Sequence, residues 1–309
     1  GSVLLKNNGA LPLTQEETQK LSLLGFSSYH PVMGGIMGSS LTANTGTDAD
    51  TVDMVQAFQA KGFAINPTLQ QIYTSLESTY TTEVESWGGT TSYLNITAPS
   101  IGSVFSSKEP SQAAMEQASA GWKDTLNDYN VMIVTIARAG SENANYTPGT
   151  AGVDPTQNLN QTDPLGLSDD ERDLIQAAVD AKAANGGKVI GTIDITSPWI
   201  LTNLEPYCDA LLGGFGTSTQ ALIDVITGEY SPTGKLPVTM VSCYEVIAVN
   251  EVTLEDGNTY DICVSPNDVP GYDKEQYMDP EVLAQSPSGS YAYQDADGNF
   301  YWFGFGLSY

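Results

Sequence analysis

The chain has 309 residues, of which 37 are acidic and 11 are basic, so its formal net charge is −26. Nucleic acid and anionic membrane surfaces would repel such a charge, and both are excluded as partners. Hydrophobic residues make up 40% of the chain, which is enough for a core. No apolar run reaches the ~20 residues that a bilayer-spanning helix needs. The acidity itself indicates a solvated surface and is no sign of an acidic active site.

The cysteine and histidine content argues against several kinds of site. Cys208, Cys243 and Cys263 form no disulfide framework and lack the spacing of metal ligands, and His30 is the single histidine. A His-based triad and a multi-histidine zinc site are therefore excluded. We expect no cofactor and no metal ion.

Two features of the composition bear on cellular location. Lysine is scarce, and the chain contains three N-glycosylation sequons, which begin at Asn95, Asn145 and Asn160. Together they favour an extracellular or cell-surface protein over a cytoplasmic one. In a bacterial protein the sequons would carry no weight.

The first third of the chain is predicted to contain strands and helices in alternation. An apolar run at 20–26 predicts a strand, and residues 50–62 predict an amphipathic helix. A brief strand at 63–65 precedes a second helix over 67–80, which begins with a proline at its first position. A polar stretch then continues to about residue 110.

The middle of the chain alternates apolar strands with amphipathic helices. The predicted strands cover 131–137, 188–195 and 209–215, and the predicted helices cover 168–186, 198–204 and 218–228. The first of these helices opens with a capping box, in which Ser168 reaches forward and Glu171 reaches back. Continuous apolar strands between helices predict βαβ units on a parallel sheet that is covered on both faces. Right-handed crossovers make that sheet doubly wound.

The character of the sequence changes at about residue 242. Residues 242–290 are acidic, rich in proline and without a helical period. Residues 290–305 predict a hairpin that turns at Asp297-Gly298. The "DADGN" stretch there has half of the ligand positions of a calcium loop, so a turn is favoured over an ion site.

The prediction is therefore an α/β fold in one domain over 1–309. It is a doubly wound, mostly parallel sheet sandwiched between helices over 1–241, with an irregular and β-hairpin extension over 242–309.

Five motifs resemble one family in their order along the chain. They are "SVLLKNNGALPL" (2–13), "PVMGGIMGSS" (31–40), "KGFAINPTLQQIY" (61–73), "SPTGKLPVTM" (231–240) and "YWFGFGLSY" (301–309). Together they resemble the α/β sandwich ("C-terminal") domain of glycoside hydrolase family 3, which pairs that sandwich with a (β/α)8 barrel. The second and third motifs are similar to those of members whose sandwich precedes the barrel. With five or six βα units rather than eight, this chain is predicted to contain no barrel domain.

The resemblance also implies a position for the general acid/base. In many members the strand leads into Arg-x-Gly-Gly-Glu-Gly-x-Asp, and here residues 138–145 read "RAGSENAN". Glu142 falls where several branches of the family have their acid/base glutamate. Other branches place it a few residues later, which makes Asp154 and Asp163 the alternatives.

The same alignment implies residues that contact the substrate, namely Arg138, Ser141 and Asn143. Arg138 follows the carboxyl end of a strand, where ligands of open α/β sheets gather. It either pairs with Glu142 or braces the loop, and the sequence does not decide between these roles.

The resemblance implies a retaining, β-glucosidase-like glycosidase that acts on a β-linked oligosaccharide or glycoside. The barrel would carry the nucleophile, so this chain alone is expected to be inactive. Asn143 and Asn145 depart from the family pattern, and they keep open a non-catalytic carbohydrate-binding or scaffolding domain. A flavodoxin-like cofactor binder is disfavoured, since the glycines of 34–38 match no phosphate-binding fingerprint.

Overall fold

A computed structural model describes residues 1–14, 20–31, 52–86, 89–94, 109–138, 166–194, 198–243, 246, 251–253, 257–261 and 280–309. Its strands are β1 (Ser2–Asn7), β2 (Lys20–Leu24), β3 (Ala64–Ile65), β4 (Thr81–Ser86), β5 (Gly89–Leu94), β6 (Val131–Ala137), β7 (Lys188–Asp194), β8 (Ala210–Gly214), β9 (Glu251–Thr253) and β10 (Thr259–Asp261). Its α-helices are α1 (Met54–Ala60), α2 (Pro67–Tyr80), α3 (Gln112–Ala118), α4 (Asp169–Asn185), α5 (Thr219–Ile226) and α6 (Pro280–Leu283).

The main sheet has six strands in the order β1-β8-β7-β6-β2-β3. The five strands from β8 to β3 run parallel, and β1 lies antiparallel to β8 at one edge. Every residue of β6 and β8 is buried, as expected for central strands of a sheet that helices cover on both faces. The doubly wound, mostly parallel sheet predicted from the sequence is confirmed.

The helices lie in two groups. Helix α1 packs against α5, whereas α2 contacts α3 and α3 contacts α4. The chain leaves β2 through α1 to reach β3 on one side, and it then crosses through α2 and α3 to β6 on the other side. Because the direction of winding reverses between β2 and β6, these neighbouring strands form the topological switch point of the sheet.

The C-terminal hairpin is also confirmed. Gln294 bridges Phe300, and the N–H of Tyr301 donates to the carbonyl oxygen of Tyr293 at 2.9 Å. Gly298 has a φ of 86° at the turn, a conformation that glycine adopts at no steric cost. The carboxylate of Asp295 accepts from the backbone N–H groups of residues 297 and 299, so it stabilises the turn.

The two ends of the described chain lie side by side. Leu4 of β1 bridges Leu307 in antiparallel fashion, and the N–H of Leu307 donates to the carbonyl oxygen of Leu4 at 2.8 Å. The main core cluster accordingly includes Val3 as well as Tyr301.

Two local expectations differ from the structure. The polar stretch after α2 contains the antiparallel hairpin of β4 and β5. Residues 198–204, predicted as a helix, are irregular, and a short 3₁₀ turn follows at Glu205–Tyr207. Residues 198–201 are all buried and residues 202 and 203 are exposed, and the N–H of Leu204 donates to the carbonyl oxygen of Leu201 at 2.9 Å, so this stretch ends in a single turn rather than forming a helix. Among the described residues, no helix combines the length and apolarity needed to cross a bilayer.

Candidate functional site

The carboxyl ends of β2 and β6 meet at the switch point, and Arg138 lies there. It is the first residue after β6, and its N–H donates to the carbonyl oxygen of Asp194, at the end of β7, at 3.0 Å. The ladder of the sheet therefore fixes the backbone from which its side chain leaves. Crevices at this position are where ligands of doubly wound folds bind.

The guanidinium of Arg138 joins two points that are far apart in sequence. Nη1 donates to the carbonyl oxygen of Ala137 at 3.0 Å, and Nη2 donates to that of Gly166 at 2.9 Å. These two carbonyls flank the 139–165 segment, which carries Glu142. Arg138 thus ties the start of this segment to its end, at the carboxyl edge of the sheet.

Glu171 is the anionic partner of Arg138. Each of its carboxylate oxygens accepts one guanidinium N–H at 2.7 Å, so the pair is bidentate. The predicted capping box of α4 is confirmed: the Ser168 N–H donates to Glu171 Oε2 at 2.9 Å, and the Glu171 N–H donates to Ser168 Oγ at 3.2 Å. One carboxylate therefore caps a helix and neutralises a cation.

The pair is held inside the protein. The side chains of Arg138 and Glu171 are 1% and 0% exposed, and the guanidinium lies 4.8 Å from the ring centroid of Trp199. Arginine stacks on aromatic rings in this way, and its planar fork matches a carboxylate. Trp199 is a core residue, and it also forms one wall of the Arg138 site.

A second carboxyl, that of Glu109, is buried nearby. Both of its oxygens accept from the Phe26 N–H at 3.1 Å, just beyond the carboxyl end of β2. Burial raises the pKa of the Glu109 carboxyl well above its usual value, and the charge of Glu171 adds to the rise. The Phe26 N–H and Arg138 act in the opposite direction. Among the described residues at the switch point, Glu171 is thus paired with the guanidinium of Arg138 through both of its oxygens, whereas Glu109 accepts from a backbone N–H.

A small cavity lies at the carboxyl ends of β6, β7 and β8. It has a volume of about 40 Å³, and Thr135, Thr192 and Asp194 are among its lining residues. Thr192 Oγ1 donates to Thr135 Oγ1 at 2.8 Å. A polar cavity of this volume has room for ordered water.

Arg138 is the one predicted site residue that the structure describes. It lies at the expected edge, and its described contacts are those of a residue that braces the loop ends. The other predicted residues, Ser141, Glu142, Asn143, Asp154 and Asp163, lie outside the described residues, so their roles stay predictions.

Sequence reasoning missed two participants at this edge. Glu171 was recognised as a helix cap but not as the partner of Arg138, because the two are 33 positions apart in the chain. Glu109 was not singled out, since its burial depends on contacts with β2. An isolated Glu-Pro pair at the end of a polar stretch carries no signal for a buried carboxyl.

Comparisons with known proteins agree with this fold. The sandwich resembles β-glucosidase 3B from Thermotoga neapolitana in complex with glycerol, with a TM-score of 0.61 and 22% identity over 100% of this chain and 36% of that one. It also resembles the β-glucosidase from Listeria innocua in complex with isofagomine, with a TM-score of 0.53 and 16% identity over 100% of this chain and 32% of that one. The chain therefore spans about a third of the length of these proteins.

Sequence comparison supplies the family. No protein with a curated description matches the chain. The family model described as the glycosyl hydrolase family 3 C-terminal domain matches residues 2–309, which is nearly the full length. The chain therefore belongs to the glycosyl hydrolase family 3 C-terminal domain family.

Proposed function

We propose that this chain is the sandwich domain of a retaining, β-glucosidase-like family 3 glycosidase. It supplies the general acid/base from the 139–165 segment, with Glu142 as the acid/base, and part of the sugar pocket. A (β/α)8 barrel domain supplies the nucleophile, and the substrate is a β-linked oligosaccharide or glycoside.

One observation carries the proposal. Arg138 binds carbonyl oxygens on both sides of the 139–165 segment, so this segment leaves and rejoins the sandwich at the switch point. That is the edge at which ligands of such sheets bind. A partner domain placed over this edge would meet Glu142 on a segment whose two ends are held by hydrogen bonds from Arg138.

The chemistry explains why a glutamate on such a segment is useful. A retaining glycosidase needs a carboxylic acid that protonates the leaving oxygen and later acts as a base towards water. That acid must lie about 5–5.5 Å from the nucleophilic carboxylate. A segment that extends from one domain onto another can bring the two carboxyl groups to this distance.

Hydrolysis of a panel of nitrophenyl β-glycosides tests whether catalysis requires both the sandwich and the barrel domain. We expect the 309-residue chain alone to be inert and a polypeptide that includes the barrel to be active. Turnover by the chain alone would contradict the proposal, because both catalytic carboxylates would then lie within it.

The role of Glu142 is tested in the polypeptide that includes the barrel. We expect Glu142→Gln to lower kcat at least ~100-fold on substrates with poor leaving groups, the usual scale for a lost general acid. On nitrophenyl substrates, whose good leaving group needs little acid assistance, azide should restore part of the rate, because it attacks the glycosyl-enzyme without help from a general base. Asp154→Asn and Asp163→Asn are the matched controls and should stay near the wild-type rate. If one of these controls loses activity with azide rescue instead, the acid/base role belongs to that aspartate.

A non-catalytic carbohydrate-binding or scaffolding domain is the second candidate. Asn143 and Asn145 favour it, since the family pattern has glycine and an acidic residue at these positions. In that case Glu142→Gln would cost well under ~100-fold.

A further inference from the structure

We propose that a cavity at the amino ends of the parallel strands, opposite the switch point, binds a neutral, polyhydroxylated ligand of monosaccharide to disaccharide size. The cavity lies beside the amino end of β8, where Lys6 of the antiparallel strand β1 pairs with Leu211. The switch point lies at the carboxyl ends of the same parallel strands. This site is therefore separate from the one proposed for catalysis, and the inference does not depend on that function.

The cavity has the size of a small-molecule site. Its volume is about 450 Å³, within the ~300–1,000 Å³ typical of ligand pockets. The chain forms it from distant parts: β1, the connection between β7 and β8, Ser242, and the C-terminal hairpin with the two residues 287 and 288 that precede it. Lys6, Thr202, Glu205, Ser288, Tyr293 and Gln294 are among its lining residues.

The inner wall is a buried polar network. Lys6 Nζ lies 2.7 Å from Glu205 Oε1 and donates to the Glu205 carbonyl oxygen at 2.9 Å. The Tyr293 hydroxyl donates to Glu205 Oε2 at 2.5 Å. The side chain of Glu205 is 3% exposed, and that of Lys6 is 13% exposed. The network fixes the direction of each polar group before any ligand arrives, which lowers the entropic cost of binding.

A chain of serine hydroxyls fixes a second part of the wall. Ser286 Oγ donates to Ser242 Oγ at 2.8 Å and lies 2.9 Å from Ser288 Oγ. Ser288 Oγ also donates to the carbonyl oxygen of Ala292 at 2.8 Å. The wall is thus preformed, as is usual for small-molecule sites.

The charges of the lining residues disfavour an anionic ligand. Glu205 and Asp295 are carboxylates, and Lys6 is the one cation among the residues that line the cavity. Since Lys6 is already paired with Glu205, a phosphate or carboxylate would meet a net negative wall. A neutral ligand avoids this repulsion.

The hydrogen-bonding capacity fits a polyol. An ammonium has three N–H donors, and the third N–H of Lys6 has no partner within the described part of the chain. Thr202 and Gln294 add a hydroxyl and an amide, each of which can both donate and accept. A sugar presents several hydroxyls with the same dual capacity, and its C–H faces can pack on Pro206 and Pro287 in the same lining.

The test is a titration of the 309-residue chain with D-glucose, followed by ligand-observed NMR and calorimetry. Thr202 is exposed at the cavity and its neighbour Asn203 is exposed outside it, so Thr202→Trp blocks the cavity and Asn203→Trp is the matched control. We expect saturable glucose binding that Thr202→Trp weakens at least tenfold and that Asn203→Trp leaves unchanged. Circular dichroism checks that both variants fold.

Three outcomes would overturn the proposal. Glucose and cellobiose could fail to bind the wild-type chain at all. Glucose binding could survive Thr202→Trp, which would place it elsewhere, including at the switch point. Inorganic phosphate could bind and be displaced by Thr202→Trp, which would assign the cavity to anions.

Discussion

Arg138 and Glu171 form an ion pair that is almost completely removed from water, with side chains 1% and 0% exposed. A buried pair gains little net stability from being made, because both ions lose their hydration. Removing one partner is much more costly, since the other charge then stays buried without compensation. The pair therefore affects the stability of the fold mainly when one of its two residues is substituted.

Arg138→Met is expected to lower the free energy of unfolding by about 3–5 kcal/mol. The reason is that the Glu171 carboxylate would stay buried without the guanidinium that now binds both of its oxygens. Urea denaturation measures the change. Arg172→Met is the matched control: Arg172 pairs with Asp169 at the surface with 44% of its side chain exposed, so its loss should cost at most about 1 kcal/mol. Equal effects of the two substitutions would contradict the buried role of Arg138.

Glu109 should make stability depend on pH in a defined direction. Burial raises the pKa of its carboxyl in the folded state, so the folded chain holds this proton more tightly than the unfolded chain does. The protonated Glu109 carboxyl then makes its full contribution to stability at pH values below its ordinary pKa near 4.5. It is lost as the pH rises from there through the folded pKa.

Glu109→Gln should remove this contribution, because a glutamine cannot ionise and still offers an oxygen to the Phe26 N–H. Relative to wild type, the variant is expected to gain stability as the pH rises from about 4 to about 8. Urea denaturation across this range gives the profile. A Glu109→Gln profile that runs parallel to that of wild type would show that the buried carboxyl does not titrate in this range.

At the scale of elements, the close approach of β2 to β6 depends on Gly25. Its φ is 98°, and a Cβ atom there would lie 2.2 Å from the carbonyl oxygen of Thr135. A distance this short requires the backbone of one strand to move. The Gly25 N–H also donates to the Tyr73 hydroxyl at 2.7 Å, so the position is linked to α2.

Gly25→Ala should therefore be far more destabilising than a positive φ alone explains. Gly62 is the matched control, because its φ is 88° and a Cβ atom added there would have no described atom within 4 Å. Gly62→Ala should cost about 1–2 kcal/mol, the usual penalty for a side chain in left-handed backbone. Gly25→Ala should cost roughly twice that or more, since a steric clash adds to the same penalty. Thermal unfolding of the two variants compares them directly, and similar losses would argue that the strands have room to shift.

Elements with a strong pattern could be predicted from sequence. The apolar run of β6 and the Ser168-x-x-Glu171 box of α4 are local signals, and both elements are confirmed. The β4–β5 hairpin was missed because its strands are rich in threonine and serine and do not alternate apolar with polar residues. Residues 198–204 were misread because a proline followed by apolar residues resembles a helix start, whereas four successive residues are buried there before a single turn begins.

For the whole molecule, the core joins residues from both ends of the chain. Tyr301, near the C-terminus, is fully buried in the same cluster as Val3 of β1. Its ring stacks on that of Phe305 with centroids 4.6 Å apart and meets Tyr293 edge-on at 5.3 Å. The C-terminal hairpin is thus an integral part of the sandwich.

Tyr301→Ala is expected to destabilise the entire fold by about 3–5 kcal/mol, as for other large aromatic truncations in cores. Tyr230→Ala is the control, since Tyr230 is 67% exposed and surface changes usually stay within about 0.5 kcal/mol. Because the hairpin and β1 share one core, far-UV and near-UV circular dichroism should shift together. A hairpin that melts separately while the sheet persists would show that it forms an independent unit.

The position of the candidate site could be predicted more fully than its composition. Arg138 was predicted to follow the carboxyl end of an apolar strand, and it lies there, where the carboxyl ends of the parallel strands meet. Its surroundings could not be predicted: Glu171 meets Arg138 only through the packing of α4, and Glu109 is buried nearby only through its contact with Phe26 after β2. Such contacts between distant parts of a chain leave no trace in the local spacing of residues.

The hydrogen bonds that Arg138 makes on either side of the 139–165 segment have a consequence for the evolution of that segment. When the two ends of a loop are held together by the scaffold, changing its length costs little, about 0.6 kcal/mol for each doubling. Insertions, deletions and substitutions within the segment should then have little effect on the stability of the sheet. A segment of different length or sequence can therefore replace this one during evolution while Arg138, Gly166 and Glu171 keep the attachment point unchanged.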